Sequence, residues 1–179
     1  YYYCFDQTKN HDSAMKLFST LKINDINHEM YIFQNNKNIT SILRQEIIAK
    51  PASKLSSLKV TRANLISFQR EIATDEGLVA DGRDMGTVVF PNAGTKIFLI
   101  ADPVVRAKRR FLELQNAGQE VNMRDLIEDI RLRDEADRVR EISPLIPAED
   151  SIEVNSSNLS IKEVLEIVIK IYKKNIKEV

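Results

Sequence analysis

Two short apolar runs restrict this chain to an α/β architecture. Leu78-Val79-Ala80 reads as a strand buried on both faces, and Lys96-Ile97-Phe98-Leu99-Ile100-Ala101 as another. A third, Ser151-Ile152-Glu153-Val154, reads as a last short strand. Helical patterns of ten or more residues separate them, and strands alternating with such helices imply a parallel sheet. Asp102-Pro103 opens one helix, Asp as N-cap and Pro at the first helical position, and Gly118 ends it. A second begins near Asn122 and extends to about Val139, and Pro144 and Pro147 mark the loop after it. Ser160-Ile161-Lys162-Glu163 is a capping box that opens a final amphipathic helix.

The first part of the chain has a different character. Tyr1-Tyr2-Tyr3-Cys4-Phe5 reads as the middle of an apolar helix with no initiator Met and no cap, so the expectation is a chain that starts partway along its parent. Asp12 is the expected N-cap of a second helix carrying Met15, Leu17, Phe18 and Leu21. Leu21-Lys22-Ile23 and Met30-Tyr31-Ile32-Phe33 are strand-like and separated by Asn- and Asp-rich turns, which predicts a small antiparallel sheet inserted into the larger body. Ile42 to Ala49 is helical, Pro51 should break or restart the helix, and a further helix spans about Val60 to Ala73 with Leu65, Phe68 and Ile72 on one face.

Composition bounds the function. Of 179 residues, 43% are apolar, so a core can be buried; 26 basic and 26 acidic residues give zero formal charge, against a general nucleic-acid or membrane-surface binder. Cys4 is the single cysteine, which excludes a disulfide framework and a cysteine-based zinc site. No apolar run approaches the roughly 20 residues of a membrane span. A cytoplasmic protein is expected.

The chemistry concentrates in three arginine groups. Asp81-Gly82-Arg83-Asp84-Met85-Gly86 follows the first core run, where parallel sheets bind ligands; the alternative is an acidic turn with a solvated salt bridge. On the helix from Asn122 the apolar stripe Met123, Leu126, Ile127, Ile130 gives way to Arg133, Asp137 and Arg140 on one face, beside the row Arg131, Asp134, Arg138. That reads either as an overhang above a cleft or as a solvated, salt-bridged helix end. Arg106, Arg109 and Arg110 form the third group, the alternative there being surface arginines that snorkel. Guanidinium forks bind phosphate oxygens with two parallel hydrogen bonds. Such groups converging on one sheet edge would be costly without anions, which points to phosphoryl transfer. The interleaved Asp134, Glu135 and Asp137 favour a small phosphorylated ligand over RNA. Asp81 reads as a Mg²⁺ holder, directly or through water, or as a turn aspartate. His11 and His28 sit in polar sequence surroundings and suggest neither a metal site nor a general base.

Taken together, residues 78–91, 96–99, 133–140 and Pro144-Leu145-Ile146-Pro147-Ala148, with Arg44 and the spacing of Ser53, Arg62, Gln69 and Arg70, resemble the long form of bacterial-type cytidylate kinase over nearly the whole chain. The resemblance implies a P-loop kinase-like parallel sheet flanked by helices, with a small antiparallel insertion in the monophosphate-binding part and a lid. It implies ATP as phosphoryl donor, with Mg²⁺, and CMP or dCMP as acceptor. By position, Ser53, Arg62 and Asp84 match cytosine-reading residues, Arg83 and Arg140 match arginines on the acceptor phosphate, and Arg133 and Asp137 match sugar contacts. Arg83, Arg133, Arg140 and Asp81 are the catalytic set so implied, and Arg109 has a donor-side, ATP-binding role. The implied organisation is core for 1–19, a CMP-binding insertion for 20–74, core for 75–110, a lid region for 111–124 and core for 125–179. A monomer without nucleic-acid or membrane partners is expected.

The chain departs from the family pattern in places. It contains no G-x-x-x-x-G-K-[ST], and the family's Asp-Ser-Gly…Tyr-Arg segment is missing; both would stand before Tyr1, so the 179 residues alone are expected not to turn over. Asn155-Ser156-Ser157 stands where the family often has an Asp. Three rivals follow: a CMP-binding module without catalysis, an RNA-binding element built on the arginine helix, and a kinase for another monophosphate.

Overall fold

Short amphipathic segments open the first unit, and their apolar faces meet. In a computed structural model, residues 1–27, 29–75, 77–116 and 118–177 are described, without the side chains of Asp25, Glu46, Ala49, Lys50 and Lys177. The chain divides into two units, Tyr1–Asp75 and Glu76–Val179. In the first, α1 (Tyr2–Thr8) packs on α2 (His11–Phe18) and places Cys4 and Ala14 fully inside. The N-cap of α2 is Asn10, whose side chain accepts from the Ser13 amide at 2.9 Å, and not Asp12 as the pattern predicts. Asn10 is extended and lies three residues before an unsatisfied amide, whereas Asp12 already lies in the first turn.

β1 (Lys22–Ile26), β2 (Glu29–Gln34) and β3 (Lys37–Asn38) form an antiparallel sheet in sequence order, as expected. Asn35 and Asn36, both at positive φ, close the β2–β3 hairpin between the paired Gln34 and Lys37. Such a turn matches the twist of the strands it joins. α3 (Thr40–Leu43), α4 (Glu46–Ser56) and α5 (Lys59–Glu71) follow. The expected break at Pro51 is displaced: the helix is interrupted at Arg44 and Gln45, and Pro51 lies inside α4. A proline there removes only one helical bond, the one its missing N–H would make to the Ile47 carbonyl. Phe18 of α2 meets Phe68 of α5 edge-on at 4.7 Å, and Ile39, Leu55 and Thr61 are buried in the same unit.

In the second unit a π-helical turn (Met85–Val89) precedes β4 (Ile97–Ile100), α6 (Pro103–Asn116), α7 (Met123–Val139), β5 (Ile152–Asn155) and α8 (Ile161–Lys177). β4 and β5 pair in parallel, Ile97 opposite Ile152 through Ile100 opposite Asn155, and α6 packs on α7. Local signals at the helix ends hold: Asp102 Oδ1 accepts from the Val104 amide at 2.8 Å, Asn122 Oδ1 from that of Arg124 at 2.8 Å, and Gly118 adopts φ +72. The box at α8 closes both ways, Ser160 N donating to Glu163 Oε2 at 2.7 Å and Glu163 N to Ser160 Oγ at 3.3 Å.

Leu78-Val79-Ala80 is not a buried strand. It is irregular, and Val79 is 100% exposed. An apolar run forms a strand only where another strand supplies its hydrogen bonds, and among the described residues the parallel pair is β4 with β5 alone. β4 is a strand as expected but only half-buried, with Leu99 exposed.

Candidate active site

The segment 82–90 turns because of its two glycines and one surplus residue. A Cβ at Gly82 would stand 2.9 Å from the Met85 side chain, so only glycine lets Met85 fold back there. Asp84 follows, 6% exposed, and its carbonyl accepts from both the Val88 and Val89 amides at 2.9 and 3.1 Å. The bond from Val89, and the next one from the Phe90 amide to the Met85 carbonyl at 2.7 Å, span five residues and make the π-helical turn, a form found mostly as single turns at functional sites.

Arg83 points from this segment to α7. Its guanidinium pairs with Asp137, a carboxylate whose side chain is only 7% exposed. Asp137 Oδ1 also takes Arg140 Nη1 at 3.3 Å, and Arg140, 10% exposed, donates from Nε to the Ser143 carbonyl. Leu145 N donates to the Asp137 carbonyl at 2.7 Å, which fixes the chain leaving α7 against the same residue. Burial pushes the pKa of Arg83 down, the nearby charges of Arg133 and Arg140 push the same way, and Asp137 opposes them. Arg83 is still a cation near neutral pH, because an arginine starts so high. Arg83, Arg133, Arg140 and Asp137 therefore occupy one neighbourhood, with more positive than negative charge. Arg133 itself is exposed at its edge.

The other arginine group is spent within the protein. Arg106 grips Asp134 with both terminal nitrogens, one at 2.9 Å, and its Nε donates to the Ala101 carbonyl at 3.0 Å. Arg109 donates to the Ser156 carbonyl at 2.6 Å and the Leu159 carbonyl at 3.3 Å, clamping the loop beyond β5. Arg110 meets Glu113 at 3.1 Å. The α6 cations are thus met by Asp134 of α7, by Glu113 and by loop carbonyls. Asp81 is exposed, and no group of three His, Cys, Asp or Glu residues could hold a metal among those described. Ser53 lies on α4, half-buried, and Arg62 on α5 beside the buried Thr61, both in the first unit. His11 stacks on Tyr1, with its Nδ1 hydrogen-bonded to the Tyr1 hydroxyl at 2.7 Å, and lies 4.7 Å from the Phe5 ring centroid. His28 falls outside the described residues.

Ser143 is not among the candidates read from the sequence. It is buried at φ +51 just before Pro144, and its carbonyl holds Arg140. A non-glycine residue at positive φ is uncommon and accompanies functional geometry more often than chance. Its one signal is the Ser-Pro dipeptide, a turn marker.

Residues 2–174 match the sequence model of the cytidylate kinase family. The chain belongs to that family. It is 46% identical over 142 residues to a cytidylate kinase of Stutzerimonas stutzeri strain A1501, covering 79% of this chain and 62% of that one. Over 157 residues it is 40% identical to a cytidylate kinase of Caldicellulosiruptor bescii, covering 88% and 70%. A cytidylate kinase of Pasteurella multocida strain Pm70 is 44% identical over 137 residues, 76% and 60% of the two chains. The chain thus spans about three fifths to seven tenths of these curated relatives. Among cytidylate kinase family members, this one presents a mixed α/β fold with a parallel pair and a small antiparallel sheet. No helix among the described residues is long and apolar enough to cross a membrane.

Proposed function

We propose that this chain serves the phosphorylation of CMP and dCMP by ATP, giving CDP or dCDP and ADP. The observation that carries the reading is the pairing of Arg83 and Arg140 with one buried carboxylate, Asp137, with Arg133 near enough to act on Arg83 and the buried Asp84 next to Arg83 in the chain. Arg83 and Arg140 bind the acceptor phosphate, and Arg133 and Asp137 hold the sugar. Asp84 accepts a hydrogen bond from the cytosine amino group, which uracil lacks. Ser53 and Arg62 keep their cytosine assignment, and Arg109 its donor-side assignment, on sequence match alone. So do 20–74 as the acceptor-binding insertion and 111–124 as the lid.

A phosphate oxygen of CMP bonds to the γ-phosphorus as the bond to the β,γ-bridging oxygen breaks, and that electron pair leaves on ADP. Arginines offset the developing charge, and the protein supplies no nucleophile. Mg²⁺ is commonly bound by one or two carboxylates with substrate phosphates and waters, so the exposed Asp81 fits a cation that arrives with the nucleotide and not an all-protein cage. When bound, that ion would neutralise phosphate charge. The reading includes a cytoplasmic monomer without nucleic-acid partners.

Calorimetry with CMP, dCMP, UMP and oligonucleotide tests binding by this chain, and a coupled ADP assay across CMP, dCMP, UMP and AMP tests turnover once a phosphate-cradling segment is joined to it. CMP or dCMP should bind best. Asp84→Ala should lose the CMP-over-UMP preference by about 10- to 100-fold, the worth of one charge-assisted hydrogen bond. Unchanged selectivity would overturn the assignment of Asp84, and tight oligonucleotide binding with no response to CMP would overturn the whole reading.

A further inference from the structure

Lys96 has no part in the site, yet its side chain is buried and its ammonium is held by two partners. Its side chain is 8% exposed, and Nζ donates to the Pro91 carbonyl at 2.5 Å and to Asp150 Oδ1 and Oδ2 at 2.8 and 2.7 Å. Its ammonium is thus held by one carbonyl and one carboxylate, the two carboxylate oxygens lying too close together to take separate N–H donors. Its backbone is anchored as well: the Lys96 carbonyl accepts from the Ile152 amide at 2.9 Å, the start of the β4–β5 ladder. Its methylene stem lies against Gly86, where a Cβ would come 3.3 Å from Lys96 Cδ.

Gly86 is the second residue of the π-helical turn, and Pro91 follows its C-cap residue Phe90. One side chain, rooted in the sheet, therefore supports the turn from beneath and caps the chain leaving it. The start of that turn is Asp84, bound through its carbonyl to Val88 and Val89, with Arg83 immediately before it. We infer that Lys96 is a positioning residue: with Asp150, it fixes the π-helical turn on the sheet and so sets where Arg83 and Asp84 point. The inference rests, for its effect on ligand choice, on Asp84 reading cytosine.

Lys96→Met keeps the stem and removes the charge. Amide hydrogen exchange on the 179-residue protein should show protection at Val88 and Val89 falling about tenfold, the factor expected for losing one charge-assisted contact. Protection at Val154 in β5 should stay as it was. Asp150→Asn should move the same amides in the same direction, and Lys96→Met with Asp150→Asn should cost less than the two single effects multiplied, because they share one interaction. The CMP-to-UMP affinity ratio should fall with the loss of protection, and Lys96→Arg should recover part of both. Unchanged protection at Val88 and Val89, or an equal fall at Val154, would overturn the inference. So would independent effects of the two substitutions, or a retained nucleotide preference in a variant whose turn has loosened. If the wild-type protein prefers no nucleotide, the proposed function fails, and the exchange data alone decide whether Lys96 holds the turn.

Discussion

Asp137→Ala puts the arginine cluster to its most direct test. The substitution removes a carboxylate with a 7% exposed side chain that is shared by Arg83 and Arg140, whose own side chains are 30% and 10% exposed. Breaking a buried pair by deleting one partner costs about 3–5 kcal/mol, since the other charge stays behind uncompensated. Arg83 retains some water and Arg140 retains the Ser143 carbonyl, which places the loss near the lower end, about 3 kcal/mol. For a unit of this size that is a fall of about 12 °C or more in melting temperature. Amide exchange along α7 reports the loss in the unit concerned, with thermal melting beside it. Inorganic phosphate supplies the second arm. An anion able to occupy the vacated place stabilises by about 2.7 kcal/mol at a hundred times its dissociation constant. Phosphate should therefore raise the melting temperature of the variant more than that of the wild type, while chloride at equal ionic strength should not. A variant within about 1 kcal/mol of wild type would show that the guanidinium groups do not depend on Asp137. No response of either protein to phosphate would show that they do not form an anion site.

Two more outcomes follow from ion pairs elsewhere in the unit. The Lys96 ammonium, donating to Asp150, holds its carboxyl below the usual carboxylate range. A pKa lowered on folding gives stability that is present above the unfolded value and lost as pH falls through the folded one. Protection of the π-helical turn should therefore persist at neutral pH and weaken only in acid, and carboxyl NMR should find Asp150 titrating at an ordinary value in Lys96→Met; a normal value in the wild type would refute this. Arg109→Met should free the Ser156–Leu159 loop, lowering protection of the Leu159 amide, which donates to Ser156 O at 3.3 Å, by about 10-fold or more. An unchanged Leu159 amide would mean that Arg109 does not hold the loop.

Local chemistry was legible in the sequence wherever the cause lay within a few residues. The Ser160–Glu163 box, the Asp102-Pro103 entry, the helix start near Asn122 and the antiparallel strands each depend on neighbours along the chain. The face shared by Arg133, Asp137 and Arg140 was equally readable from helical spacing, and Asp137 and Arg140 do bond to one another. What failed depended on distant partners. Leu78-Val79-Ala80 has strand composition but no strand beside it among the described residues, and composition does not reveal that. Arg106 and Arg109 looked available for a ligand because Asp134 and the Ser156 carbonyl lie 28 and 47 residues away in sequence. Lys96 was read only as the start of a strand, since its partners at Pro91 and Asp150 mean something only once folded.

The doubled acceptance at the Asp84 carbonyl makes the length of the 84–90 segment matter as much as its letters. A π-helical turn holds one residue more than an α-helical turn between the same two points. Deleting any single residue there would let it close as ordinary helix, and Asp84 would swing by about 100° relative to Phe90, the rotation of one helical residue. Apolar exchanges at Val88 or Val89 leave that geometry standing. An indel does not, whatever the chemistry of the residue lost or gained.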